Sequence, residues 1–155
     1  MAAEIRLYCV GKLSAQYVPL FQDYADRLRH FGRFLVTEIP EPRGKFANPE
    51  EKIMRSSREI LARLGDAPYY AFDSEGSMFT SREFSQWFFQ DALQSRDVLR
   101  FALGGAEGLS AQFLARAEAR ISFSRLTFPH QLFRILAAEQ IYRAFTLHTG
   151  LPYHK

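Results

Sequence analysis

Short apolar runs that read as strands alternate along this chain with segments of helical spacing, and that alternation predicts an α/β fold around a mostly parallel sheet. Two further observations support the prediction. Apolar residues make up 47% and charged residues 24%, the balance of a chain that buries a core rather than one that stays disordered. The 155 residues also contain no internal repeat and no long linker, so residues 1–155 are expected to form a single domain.

The elements follow in order. Ile5-Arg6-Leu7-Tyr8-Cys9-Val10 is an apolar run closed by Gly11 and reads as a buried first strand. From Gln16 to Phe31, Tyr17, Leu20, Phe21, Tyr24 and Leu28 recur at helical spacing. Residues 34–39 form a second strand, stopped by Pro40 and Pro42, and the polar loop that follows carries Arg43 and Lys45. Pro49 suits the first turn of a helix reaching Leu64, with Ile53, Ile60, Leu61 and Leu64 near one face. Residues 69–72 are a third strand, with Asp73 and Gly76 expected in the turn after it. Thr80 or Ser81 caps a helix to about Leu93, and Glu83 stands in capping-box position. Residues 98–103 form a fourth strand that runs into Gly104-Gly105. Ser110 caps a helix through about Ala119, residues 121–124 are a short fifth strand, and a last helix spans about Gln131 to Thr146.

Composition excludes several classes. Cys9 is the only cysteine, so no intramolecular disulfide and no cysteine metal cluster forms; no metal site is expected. Met1-Ala2-Ala3-Glu4 lacks a basic segment followed by a long apolar run, and no uncharged run approaches the roughly 18–20 residues that cross a bilayer. The expectation is a soluble, cytoplasmic protein. A net charge of +3 does not diagnose nucleic-acid binding. The 16 arginines against 4 lysines suit bidentate phosphate contacts, although a GC-rich genome produces the same bias.

In parallel sheets, ligands bind beyond the carboxyl ends of the strands. The loops after Phe72, Leu103 and Ser124 lie at such ends and together could make one pocket. Gly104-Gly105-Ala106-Glu107-Gly108 is either an ordinary tight turn or a loop that brings backbone close to a ligand. It is neither a dinucleotide fingerprint nor a P-loop. Phe123-Ser124-Arg125-Leu126-Thr127-Phe128-Pro129-His130 is apolar for a surface loop. It is either a buried connector or a rigid backbone able to read an adenine edge. On the last helix, Glu139 and Arg143 form an i,i+4 pair within an apolar stripe, either a structural salt bridge or a functional pair at a cleft. The tail Thr149–Lys155 either frays or brings His154 to a substrate, while His30 and His148 read as helix residues and His130 as a helix start.

With these residues placed, the chain resembles the RlmH family of the SPOUT superfamily over essentially its whole length. The resemblance rests on Val10-Gly11-Lys12-Leu13, Leu103-Gly104-Gly105-x-x-Gly108-Leu109, Leu126-Thr127-Phe128-Pro129-His130, Glu139-x-x-Tyr142-Arg143-Ala144 and Pro152-Tyr153-His154. It implies an α/β knot with a C-terminal trefoil, a homodimer, and methylation of N3 of a pseudouridine in 23S ribosomal RNA of the assembled ribosome. S-adenosyl-L-methionine is the implied cofactor, held by Phe72, Gly104 and the loop Phe123, Ser124, Arg125, Leu126, Thr127 and Phe128, largely through backbone groups. Glu139, Arg143, Tyr153 and His154 match family positions for substrate binding or catalysis. Phe72 replaces an aliphatic residue common in the family, and Ala106 falls at a variable position.

The implied reaction places a methyl group on a ring nitrogen that carries a proton in neutral pseudouridine. His154 is the expected base, with Arg143 on a phosphate or a developing anionic carbonyl and Glu139 orienting it. Arg43 and Lys45 are expected to contact RNA backbone. Two competing readings use the same residues: a non-catalytic ribosome- or RNA-binding factor on this scaffold, and a flavodoxin-like nucleotide-binding protein suggested by the strand–helix alternation alone.

Overall fold

β1 (Ala3–Val10), β2 (Gly32–Ile39), β3 (Tyr70–Met78), β4 (Val98–Leu103) and β5 (Arg120–Ser122) form one sheet in the order β2-β1-β4-β3-β5, with every pairing parallel. The computed structural model describes residues 3–155, so the reading of Met1 and Ala2 as part of the amino-terminal segment lies outside the described residues. The helices are α1 (Val18–Arg29), α2 (Pro49–Leu64), α3 (Ser81–Trp87), α4 (Ala111–Arg116) and α5 (His130–Thr149).

Side chains alternate across a strand, and the sheet uses both faces. Ile5, Leu7 and Cys9 of β1 pack with Phe34, Phe72 and Phe101 against α1, α3 and α5, giving the larger core. Tyr8, Val10, Ile39 and Ala102 face the other way, onto Ile60 and Leu64 of α2 and Phe113 of α4. The result is three layers with helices on both sides, as a parallel sheet requires.

Local chemistry explains the element ends. Asn48 accepts from the Glu51 N–H at 3.0 Å with Pro49 in the first turn, so α2 spans residues 49–64 as its sequence predicts. The Thr80–Glu83 capping box forms in both directions and starts α3. α3 then passes into a π-helical turn, Phe88–Ala92, which the spacing alone does not distinguish from continued α-helix. α4 stops at Arg116, short of the expected Ala119. The next residues are taken up by β3: the Glu118 N–H donates to the Tyr69 carbonyl and the Ala71 N–H to the Ala119 carbonyl. α5 runs to Thr149, further than expected, and Gly150 ends it at φ +75°.

The third strand differs most. Asp73 and Gly76 do not end it; β3 continues to Met78 with a register shift in which Phe72 and Ser77 both lie opposite Ile121. Gly76 permits this, because a Cβ there would sit 2.6 Å from the Arg120 carbonyl carbon. A bulge of this kind re-aims the strand where it borders a site.

The chain leaves β1 toward β2 on one side and leaves β4 toward β5 on the other. The carboxyl ends of β1 and β4 are therefore a point where connections diverge, the place where open α/β sheets hold ligands.

Candidate active site

A cleft of about 320 Å³ opens beyond the carboxyl ends of β3, β4 and β5. Its volume falls in the range of about 300–1,000 Å³ typical of small-molecule sites. Three loops build it, as the strand ends predict: Phe72–Ser74 at the β3 bulge, Gly104–Leu109 after β4, and the segment after β5. Seven of the eight residues expected to hold a cofactor line it: Phe72, Gly104, Phe123, Ser124, Leu126, Thr127 and Phe128. Arg125 sits in the same loop but is exposed and points no atom into the lining.

The glycine loop is shaped by close approach. Gly105 and Gly108 pair as an isolated antiparallel bridge, and Gly108 adopts φ +88°. A Cβ on Gly104 would lie 2.6 Å from the Gly108 carbonyl carbon, so the loop closes on itself only with glycine there. The opposite wall is aromatic. Phe72 and Phe123 lie with ring centroids 5.0 Å apart, and Phe133 of α5 packs on both at 5.3 Å. Ser124 shapes the third loop: its hydroxyl accepts from the Leu126 N–H at 3.0 Å, while its carbonyl accepts from the Ser122 hydroxyl at 2.8 Å. An aromatic wall facing polar backbone and side chains suits a flat aromatic base attached to a polar chain.

His130, expected both as the start of the last helix and as the end of the Phe123–His130 segment, also lines the cleft.

Glu139, Arg143, Tyr153 and His154 form a second cluster. Glu139 Oε1 accepts from Arg143 Nε at 3.0 Å, from Arg143 Nη2 and from the Tyr153 hydroxyl at 3.0 Å. Arg143 Nη1 reaches His154 Nδ1 at 3.1 Å, and its guanidinium lies 4.8 Å from the Tyr153 ring centroid. The other Glu139 oxygen accepts from Gln140 Nε2 at 2.8 Å. The tail is thereby tied to α5 and half-buried at Tyr153 and His154. Burial raises the Tyr153 phenol, and the neighbouring Tyr24 and the Glu139 carboxylate raise it further, so it stays protonated and donates to Glu139.

None of these four residues lines the cleft. Phe133 is the last cleft residue on α5, and Glu139 and Arg143 follow 6 and 10 positions later, about 9–15 Å further along the axis. The residues expected at a cofactor and those expected at a substrate thus gather in two separate places on the chain.

No helix of the described residues is long and apolar enough to cross a membrane, and among them no group of metal-ligating side chains gathers.

The family model described as "Predicted SPOUT methyltransferase" matches residues 3–154. The ribosomal RNA large subunit methyltransferase H of Streptococcus uberis is 39% identical over 160 residues, covering 98% of this chain and 99% of that one. Among solved structures, a methylase-family protein from Haemophilus influenzae superposes with a TM-score of 0.59 at 10% identity, over 100% of this chain and 72% of that one. A methyltransferase from Legionella pneumophila, solved with its cofactor SAM, matches with a TM-score of 0.50 at 9% identity, over 92% and 66%.

Proposed function

The chain belongs to the SPOUT methyltransferase family, and on that premise we propose that it is an S-adenosylmethionine-dependent methyltransferase of large-subunit ribosomal RNA, acting at N3 of a pseudouridine in the assembled ribosome. The observation that carries the reading is the pairing of a preformed cleft with an ordered Glu139–Arg143–Tyr153–His154 cluster. A non-catalytic RNA-binding factor has no need of either. In this reading residues 1–155 act as one methyltransferase domain in the cytoplasm, and the trefoil knot of the family is retained.

The cleft fits the cofactor by its own chemistry. Gly104 and Gly108 bring backbone to the edge of the slot, and Phe72, Phe123 and Phe133 supply its apolar wall. When bound, S-adenosylmethionine supplies an electrophilic methyl group carried on a sulfonium. The chain's residues hold the acceptor ring. Arg143 only donates hydrogen bonds, so at His154 it is the Nδ1 lone pair that accepts, and the ring's own proton sits on Nε2. His154 therefore presents a donor in this arrangement. That suits a pyrimidine carbonyl oxygen on which negative charge builds as N3 passes its proton to solvent water, and it modifies the expectation of His154 as a base. Glu139 fixes the Arg143 fork through two of its nitrogens, and Tyr153 locks the carboxylate from the other side.

Because the cluster and the cleft stand apart in one protomer, the working unit proposed is a homodimer in which the tail of one subunit completes the cleft of the other. Arg43 and Lys45 remain proposed contacts to the RNA backbone.

The test has two parts. Ribosomal RNA from a strain lacking the protein should lose one methyl group on a pseudouridine by mass spectrometry, and the purified protein should restore it with S-adenosylmethionine. An unchanged methylation pattern would end this assignment. For His154, single-turnover methylation by His154→Ala and His154→Gln separates the roles: a donor role predicts partial retention in the glutamine variant, whereas a base role predicts equal loss in both.

A further inference from the structure

The Val10-Gly11-Lys12-Leu13 segment has no part in the site so far described, yet it is held with unusual care. Gly11 and Leu13 are buried, and Lys12 between them is exposed. The Gly11 N–H donates to the Ile39 carbonyl at 2.7 Å. The Gly11 carbonyl accepts from Arg134 Nη2 at 2.9 Å, and the Leu13 N–H donates to Glu38 Oε2 at 2.9 Å. That same carboxylate oxygen accepts from Arg134 Nη1 at 2.6 Å, and the Ser14 N–H donates to Gln131 Oε1 at 2.6 Å.

Arg134 is the centre of this arrangement and is only 3% exposed. Burying a guanidinium costs stability that an apolar side chain would not, so its retention calls for another reason. The planar fork meets a carboxylate and a carbonyl at once, which fixes a loop as a lysine does not. The loop so fixed lies on the rim of the cleft. A Cβ placed on Gly11 would be 3.7 Å from Nε2 of His130, which itself lines the cleft. The loop also leaves β1 where the strand connections diverge.

Among the described residues Lys12 makes no ion pair, although it exerts a weak Coulombic pull on Glu38. The clamp holds the backbone on either side of Lys12, while the Lys12 side chain stays exposed and without an ion partner among the described residues, which leaves its ammonium open to an anion at the cleft rim. We propose that Lys12 binds a backbone phosphate of the RNA substrate, and that Arg134 is the positioning residue that holds it there. This rests on the RNA reading above.

The experiment measures methylation and salt dependence with intact protein and assembled ribosomes from a strain lacking it. Lys12→Gln should raise the KM for RNA about tenfold, with the loss in KM rather than kcat. The log–log salt slope of binding should flatten by about 0.7–0.9, the contribution of one phosphate. Calorimetric affinity for S-adenosylmethionine should not change, and Lys12→Arg should restore most of the RNA affinity. An unchanged slope, or an equal loss of cofactor affinity, overturns the proposal. Arg134→Lys should reproduce the KM effect, and in the Lys12→Gln background it should add no further loss. A fall in melting temperature with RNA KM unchanged would make Arg134 merely structural. Should Arg134→Lys not fold, Gln131→Ala removes the Ser14 acceptor and tests the same clamp. If the wild type neither methylates nor binds these ribosomes, the reading of function falls first and this one with it; if it does and Lys12→Gln behaves alike, this one falls alone.

Discussion

Single residues set the sharpest limits. Gly104→Ala pushes a methyl group into the Gly108 backbone, so the loop must open. Calorimetry should show loss of S-adenosylmethionine binding by at least about tenfold while the far-UV spectrum stays native. Cys9 is buried in the larger core, and burial pushes its thiol up to about 12. A thiol held so far from ionisation is inert, so Ellman's reagent should react with it only after unfolding. Glu38 has the opposite character. Burial would raise its carboxyl, but hydrogen bonds from Arg134 and the Leu13 N–H outweigh that and hold it below the ordinary 4.5. A depressed carboxyl stabilises the fold above its unfolded value, and that contribution fades as pH falls below about 4.5 and through the folded value. Glu38→Gln should therefore flatten the fall in melting temperature between about pH 5 and 3.

At the scale of elements, much was legible in the sequence because local chemistry decided it. α2 and β4 have their expected limits, set by Pro49 with its Asn48 cap and by a β-rich run ending in glycine. The Thr80–Glu83 capping box was legible too; Thr80→Ala should lower stability by about 1 kcal/mol, measured by urea unfolding. Elements decided by distant partners were not legible. The β3 bulge exists because Gly76 meets the Arg120 backbone, and α4 ends early because Tyr69 claims the Glu118 N–H. Seven of the eight residues that the resemblance implies at a cofactor line one cleft, and the loops that carry them were legible because glycine and apolar segments after strands have a local signal. Arg134 was not found, since nothing in a helix sequence announces that an arginine turns inward to a loop more than 120 positions earlier.

At the scale of the molecule, the separation of cleft and tail cluster makes a prediction about assembly. Heterodimers pairing one Gly104→Ala subunit with one Glu139→Gln subunit contain one intact composite site if the tail acts across the interface. They should then show about half the wild-type activity, although each homodimer is inactive. Heterodimers as inactive as both parents would place cleft and tail of one subunit in the same site.

The strand order has a consequence for how the chain is made. β1 is synthesised first but lies inside the sheet, where Glu4 stands opposite Val98, 94 positions later. At about 5–20 residues per second, its inner edge waits roughly 5–20 s for β4 to be translated. During that interval β1 pairs only with β2, and its exposed backbone edge is open to other chains. Nascent chains arrested before Val98 should thus associate with trigger-type chaperones or aggregate, and those carried past Leu103 should resist protease.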